Sequence, residues 1–299
     1  MSHFHFLKEG NLRSYTQSIL TDYAITPHKP YGQNFVIKKR LIEEILSSAQ
    51  ITDDETILEI GGGIGSLTYY LLEEAKDVIT YEIDPILASV LKKEFFQFSN
   101  RLKIISNDFL KEEDIPQGKI VSNLPYSISS PVIWKISRML HPPKDFVFTL
   151  QEEFANHLCA KVGSKDYSRL SVFSSYFYEI EKLKIFSSDY FFPKPKVSSC
   201  LVRGEYITPS DIVRKKSFFI FLTALFCRKN KKARNNLLIY QKKLDRRFRT
   251  KYRNLLDSLE FSQIQPIHLS PKEILEFYIG FRQIILENFE IANFKNFME

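Results

Sequence analysis

The stretch from Thr56 to Leu72 constrains the fold of this chain more than any other. Residues 56–60 read Thr-Ile-Leu-Glu-Ile, a pattern typical of a strand, and run into Gly61-Gly62-Gly63-Ile64-Gly65. Apolar residues then recur at helical spacing. A strand, a glycine loop and a helix in this order open a nucleotide-binding βαβ unit, in which the backbone approaches its ligand closely. The sequence therefore predicts an α/β fold.

The acid that follows the next strand narrows the ligand. Glu82 ends the predicted strand 77–82 and lies 21 residues after Gly61, the first glycine of the loop, where it would meet a ribose diol. The dinucleotide fingerprint is incomplete, because Ser66 stands where its last glycine belongs. S-adenosylmethionine (SAM), which has a ribose but no pyrophosphate, fits this pattern at least as well as a dinucleotide.

Two later predicted strands also end in polar residues. Asn107 and Asp108 follow strand 102–106, and Asn123 follows the apolar run 119–121. Open α/β sheets bind ligands beyond the carboxyl ends of their strands. Together with Gly61 and Glu82, these residues therefore predict a single site. Asp108 could accept a hydrogen bond from an adenine amine, and a plain turn aspartate is the equally weighted alternative.

The sequence Asn123-Leu124-Pro125-Tyr126 is suited to holding a planar base that carries an exocyclic amine. Asn123 offers an acceptor, Pro125 restrains the residue before it, and Tyr126 offers a flat face. Taken alone, these four residues favour a simple turn. Three other polar strand ends at the same sheet edge favour a site.

The positive charge of the chain is concentrated in one segment. The net charge is +7, but residues 214–253 hold fifteen Lys and Arg against a single acid, Asp245, so this segment carries +14 and the remainder −7. This imbalance predicts a nucleic-acid surface, and the alternative is a solvated helix face. The densest cluster contains Arg228, Lys229, Lys231, Lys232 and Arg234.

Other features bound the class of protein. The three cysteines show neither metal nor disulfide spacing, which predicts a cytoplasmic protein without a metal site. The longest apolar run, 218–226, is too short to span a bilayer. We expect an extension of unassigned function over 1–28, a catalytic domain over 29–206 with a strand at 171–178, and a basic helical domain over 207–299.

These stretches together resemble the rRNA adenine N6-dimethyltransferases of the KsgA type. The resemblance begins near Tyr31 and reaches the C-terminal helices. Its specificity lies in the order and spacing of eight motifs: YGQNF (31–35), LEIGGGIGSLT (58–68), YEIDP (81–85), ND (107–108), NLPYSISSP (123–131), GSKDYSRLSV (163–172), FFPKPKVSS (191–199) and CRKNKKARNNL (227–237).

The resemblance implies a Rossmann-like SAM-dependent methyltransferase domain followed by a small all-α domain. It implies that Asn123 and the Leu124 carbonyl hold the target amine, that Tyr126 stacks on the base and that Phe191 closes its other face. Pro125 completes this catalytic set. The SAM-binding residues that it implies are Asn34, Val36, Gly61, Glu82, Asp108 and Asn123.

The stretches 163–172 and 227–237 look most like the small-subunit enzymes. The expected activity is therefore dimethylation of two adjacent adenines in the 3′ terminal hairpin of 16S rRNA, by a monomer acting on a pre-ribosomal 30S particle without a membrane partner. The alternatives are a 23S rRNA dimethylase of the macrolide-resistance type, a non-catalytic ribosome assembly factor and an NAD-dependent enzyme. Gly62, Ser127 and Ser168 depart from residues common in the family, and none is an expected ligand.

Overall fold

The computed structural model describes residues 3–28, 32–244 and 246–289, so Tyr31 of the first motif and Asp245 of the basic segment lie outside the described residues. The chain forms two compact units. The first comprises Met1–Ala155 and Glu179–Tyr206, and the second comprises Asn156–Tyr178 and Ile207–Glu299. Residues 156–178, which we expected in the catalytic domain, therefore belong to the second unit.

A seven-stranded sheet forms the centre of the first unit, in the order β4-β3-β2-β5-β6-β9-β7. The strands from β4 to β6 are parallel, and β9 pairs with β6 antiparallel. A separate antiparallel pair joins β1 to β8. The strands are β1 (Phe35–Val36), β2 (Thr56–Ile60), β3 (Asp77–Tyr81), β4 (Leu102–Ile105), β5 (Lys119–Asn123), β6 (Asp145–Gln151), β7 (Tyr178–Phe186), β8 (Phe191–Phe192) and β9 (Ser199–Tyr206).

Helices alternate with the parallel strands, as the predicted α/β class requires. Strands β2 and β5 are buried almost throughout, which is why they read as continuous apolar runs. Asp84 caps α5 by accepting from the Ile86 N–H at 2.9 Å, and Pro85 occupies the first turn. The helices that begin in this unit are α1 (Phe4–Lys8), α2 (Leu12–Asp22), α3 (Lys39–Ala49), α4 (Ser66–Glu74), α5 (Pro85–Glu94), α6 (Ser129–Arg138) and α7 (Glu152–Leu158).

The expected N-terminal extension is part of the first unit's core. Helices α1 and α2 lie within residues 3–28, which we call the N-terminal segment. Their apolar residues Phe4, Leu7, Leu12, Tyr15 and Ile19 are all at most 5% exposed and belong to one hydrophobic cluster with β2, α4 and α5. Burial on this scale shows that the segment is an integral part of the unit.

The second unit is helical in its described part. The prediction of a strand at 171–178 was wrong, because most of this stretch lies in α8. Ser168 and Ser171 form a capping box at the start of α8, and the aromatic side chains of Phe173 and Phe177, four residues apart, are both buried. The helices are α8 (Arg169–Ser175), α9 (Asp211–Arg214), α10 (Lys216–Leu225), α11 (Ala233–Leu237), α12 (Arg246–Ser258) and α13 (Pro271–Asn288).

Aromatic residues form the core of this second unit. Phe221 of α10 lies 5.3 Å from Tyr278 and 5.5 Å from Phe277 of α13, measured between ring centroids. The Tyr278 hydroxyl is paired with the Ser217 hydroxyl at 2.6 Å. None of the helices in the described ranges has the length and apolar character needed to cross a membrane.

Candidate active site

A cavity opens at the carboxyl ends of β2, β3 and β5, where the strand order changes direction. The first and third of these strands are neighbours although they are distant in sequence, so their ends and the loops that follow diverge around a crevice. Leu124, Pro125 and Tyr126 of the expected catalytic set line this cavity. All six expected cofactor residues line it as well: Asn34, Val36, Gly61, Glu82, Asp108 and Asn123.

The glycine loop after β2 follows the cavity wall in a conformation that side chains disfavour. Gly61, Gly63 and Gly65 have φ values of +83°, +58° and +91°. A Cβ atom at Gly61 would lie 3.1 Å from the Pro125 ring. The loop therefore passes close to the Asn-Leu-Pro-Tyr turn, and glycine is what permits this approach.

Glu82 is fixed at the end of β3 by two backbone donors. Its Oε2 accepts from the Gly63 N–H at 2.7 Å, and its Oε1 accepts from the Asp84 N–H at 2.8 Å. Burial raises the pKa of Glu82 above its ordinary value, although the backbone hydrogen bonds lower it. Each carboxylate oxygen keeps a lone pair for a further donor, such as a ribose hydroxyl.

Asp108 lies beyond the end of β4, which pairs with β3 on the side away from β2. One carboxylate oxygen accepts from the Leu110 N–H at 2.9 Å and so caps the short 3-10 helix Phe109–Lys111. Phe109 is buried against Tyr81, with 5.2 Å between ring centroids. The cap and the buried ring hold the half-exposed carboxylate of Asp108 at the cavity.

Asn123 ends β5 with one half of its amide occupied. Its Nδ2 donates to the Asn34 carbonyl at 3.0 Å, which joins β5 to the segment before β1. Its Oδ1 is buried and, among the described residues, has no hydrogen-bond partner. Buried polar atoms in native proteins are usually paired, so an unpaired acceptor in a cavity wall is suited to a ligand donor.

The aromatic residues expected around the base differ in accessibility. Tyr126 lines the cavity, and its hydroxyl is paired with the Ser199 hydroxyl at 2.6 Å, which fixes the ring. Phe191 does not line the cavity, and its ring is only 2% exposed within the hydrophobic core. The cavity lining therefore gives no support to the expectation that Phe191 closes the other face of a base, and that role stays a prediction. Its neighbour Phe192 is 39% exposed.

A sequence model described as Ribosomal RNA adenine dimethylase matches residues 25–265, which is most of the chain. The chain belongs to the ribosomal RNA adenine dimethylase family. The resemblance drawn from the eight motifs is thereby confirmed.

Relatives named ribosomal RNA small subunit methyltransferase A are similar over nearly their whole length. The Methanopyrus kandleri protein is named a probable ribosomal RNA small subunit methyltransferase A. It is 34% identical over 273 residues, which cover 88% of this chain and 95% of the relative. The Thermotoga petrophila protein is 32% identical over 277 residues, or 90% of this chain and 97% of the relative. These alignments therefore include sequence from both units of this chain.

Solved structures confirm the Rossmann-like fold class. A dimethyladenosine transferase from Plasmodium falciparum superposes with a TM-score of 0.73 at 28% identity, over 83% of this chain and 98% of that one. The 23S rRNA methyltransferase ErmE superposes with a TM-score of 0.62 at 24% identity, over 84% of this chain and all of that one. The second likeness concerns the fold alone.

Two further residues near the cavity were missed as individual candidates. Glu59 in β2 is 1% exposed and accepts from the Thr68 hydroxyl at 2.6 Å. Burial raises the pKa of Glu59 to about 7. Gln33 donates from Nε2 to Asp84 at 2.9 Å, which links the segment before β1 to the N-terminus of α5. A charged residue inside an apolar strand was the available signal for Glu59, whereas no local pattern indicates the partner of Gln33.

The expected RNA-binding residues lie in the second unit and have different surroundings. Lys229 donates to the carbonyls of Lys165 and Tyr167, the latter at 3.0 Å, so it holds the loop 163–168. Arg234 is paired with Asp257 of α12, with 2.9 Å between Nη2 and Oδ2. The other three are exposed: Arg228, Lys231 and Lys232. Arg228 nevertheless donates to the Asn235 carbonyl at 3.3 Å, and Lys232 donates to Gln263 Oε1 at 3.1 Å.

Proposed function

We propose that this chain transfers methyl groups from SAM to the N6 amine of adenines in small-subunit rRNA. The observation that carries the proposal is the half-occupied amide of Asn123. Its Nδ2 is tied to the Asn34 carbonyl, and its buried Oδ1 has no partner among the described residues. An amine that donates to this oxygen would complete the hydrogen bonding of the site.

The cavity residues fit SAM as the cofactor. Glu82 has acceptor capacity for ribose hydroxyls, Asp108 offers a half-exposed carboxylate for an adenine amine, and the glycine loop admits a ligand close to its backbone. Asn34 and Val36 line the N-terminal side of the same cavity. When bound, SAM supplies an electrophilic methyl group. A dinucleotide is the less suitable ligand, because Ser66 replaces the last glycine of its fingerprint.

Positioning of the amine accounts for the chemistry that these residues can perform. The lone pair of an adenine amine is delocalised into the ring, so the amine becomes nucleophilic only as it turns tetrahedral. Asn123 Oδ1 and the Leu124 carbonyl would accept its N–H groups and favour that geometry, and they would stabilise the positive charge that develops. Tyr126 would stack on the base, which must leave its helical stack to enter.

The substrate follows from the relatives and from charge. Relatives similar over nearly their whole length carry the small-subunit name. The exposed Arg228, Lys231 and Lys232 suit an RNA backbone. Within this function we propose that two adjacent adenines in the 3′ terminal hairpin of 16S rRNA are dimethylated in the cytoplasm, by a monomer acting on a pre-ribosomal 30S particle.

Labelled SAM and ribosomal subunits from a strain that lacks this modification test the proposal. We expect label in small subunits, mapped to two adjacent adenines of the terminal hairpin, and none in large subunits. Label in 23S rRNA alone would refute the substrate. Binding to small subunits without any methyl transfer would instead favour an assembly factor.

A further inference from the structure

The N-terminal segment contacts the glycine loop directly. The Tyr15 hydroxyl of α2 donates to the Ile64 carbonyl at 2.6 Å, and both residues are buried. Ile64 lies between Gly63 and Gly65, the two loop glycines with φ values of +58° and +91°. This hydrogen bond therefore holds the loop between two glycines, the residues that restrain its backbone least.

A second contact reaches the loop through an aromatic ring. The Phe95 ring fills the space beside Gly65, where a Cβ atom would collide with it. Phe4 of α1 packs edge-on against Phe95, with 5.0 Å between ring centroids. Both helices of the N-terminal segment thus support the loop, one through a hydrogen bond and the other through packing.

Three further hydrogen bonds attach the segment to the rest of the unit. His3 Nδ1 lies 2.9 Å from Glu94 of α5, and the Tyr23 hydroxyl donates to the same carboxylate at 2.5 Å. The Tyr70 hydroxyl of α4 donates to the Leu7 carbonyl at 2.7 Å. These contacts fix the segment in place, so Tyr15 presents its hydroxyl from a rigid support.

We propose that the N-terminal segment is a brace for the cofactor loop and that Tyr15 is a positioning residue for SAM binding. The inference rests on the proposed function, because SAM is the ligand that the loop would hold. Four of the five residues from Gly61 to Gly65 are glycine, so ordering the loop is entropically costly. A loop that is already ordered in the free protein binds its ligand more tightly, since that cost is not paid on binding.

Tyr15→Phe and Tyr70→Phe form a matched pair that tests the brace. Each variant loses one tyrosine hydroxyl that bonds a carbonyl between the segment and the rest of the unit, and only Tyr15 touches the loop. In calorimetry with SAM and no RNA, we expect the Kd of Tyr15→Phe to rise about 5- to 10-fold. Binding would then have to order the loop without the free energy that this one buried hydrogen bond supplies in the wild type. We expect the Kd of Tyr70→Phe to stay within about twofold of wild type. The two variants should have similar melting temperatures.

Hydrogen exchange on the free protein gives an independent measurement. The amides from Gly63 to Ser66 should exchange several-fold faster in Tyr15→Phe and at the wild-type rate in Tyr70→Phe. Equal effects of the two substitutions on both measurements, or none from either, would overturn the brace. Failure of wild-type protein to bind SAM would refute the proposed cofactor instead, and loop exchange would still decide the role of Tyr15.

Discussion

The cavity and the basic cluster of 228–234 were both predicted from sequence, and they differ in how the fold uses the predicted residues. The cavity gathers residues from stretches as distant as Asn34 and Asn123, and nine of the ten expected cofactor and catalytic residues line it. The basic residues are neighbours in sequence, yet Lys229 and Arg234 are engaged within the second unit. Proximity in sequence does not give charged side chains a common orientation, whereas parallel strands do bring their ends to one edge.

Asn123→Ala is the most direct way to break the cavity's side of this comparison. We expect methyl transfer to fall about 10²- to 10³-fold, the usual effect of losing one polar group that stabilises the developing charge. RNA affinity should not change, because the basic cluster is intact. Rates with labelled SAM and an RNA-binding assay measure the two effects separately.

The matched control for this substitution is Asn100→Ala, which removes an exposed amide outside the cavity. Its rate should equal that of wild type. Full activity of Asn123→Ala would remove the amide from the mechanism.

Phe191→Ala tests the one expected residue that does not line the cavity. Because its ring is 2% exposed, we expect a loss of about 3–5 kcal/mol in the free energy of unfolding. Phe192→Ala removes a ring that is 39% exposed and should cost much less. Urea denaturation of the two variants measures the difference. A wild-type unfolding free energy in Phe191→Ala would show that the ring is not a core residue.

The limits of sequence prediction follow from the same contrast. The strand ends at Glu82, Asp108 and Asn123 were predictable because hydrophobic runs mark strands and the fold class fixes their common edge. Phe191 and Phe192 could not be told apart, since adjacent strand residues point to opposite faces and the sequence does not give the register. Hydrogen bonds such as Tyr15 to Ile64 join residues far apart in sequence, and no local pattern indicates them.

Substitutions in the basic cluster sharpen the other side of the comparison. Replacing the exposed Arg228, Lys231 and Lys232 with Gln should weaken RNA binding and flatten its salt dependence by about two to three units of log K per log salt, if each contacts one phosphate. The variant's melting temperature should stay near that of wild type. Titrations from low to moderate salt measure the slope.

Lys229→Gln and Arg234→Gln are the companion variants. They should lower the melting temperature, because Lys229 holds the carbonyl of Tyr167 and Arg234 holds Asp257. Their salt slopes should change less than that of the exposed set. If the two sets of variants gave equal slopes, the distinction between the three exposed cations and the two partly buried ones would be wrong.

Glu59→Gln has the smallest expected effect and concerns stability against pH. Burial raises the pKa of Glu59 to about 7 in the folded protein, above its ordinary value of 4.5. At this carboxyl group the folded state therefore binds more protons than the unfolded state between these values, so the stability that Glu59 contributes falls as pH rises from about 5 to 7 and levels off above that. In Glu59→Gln this decline should be smaller by an amount on the order of 2 kcal/mol.

Urea denaturation at a series of pH values from 5 to 8, without cofactor, measures this decline. Glu74→Gln is a suitable control because it makes the same substitution at an exposed carboxylate in α4, and its pH profile should follow that of wild type. A profile for Glu59→Gln parallel to that of wild type would mean that Glu59 stays ionised in the folded state. The cavity would then hold two buried carboxylates that are both charged, Glu59 and Glu82. A cationic ligand would bind there more strongly than it would if Glu59 were neutral.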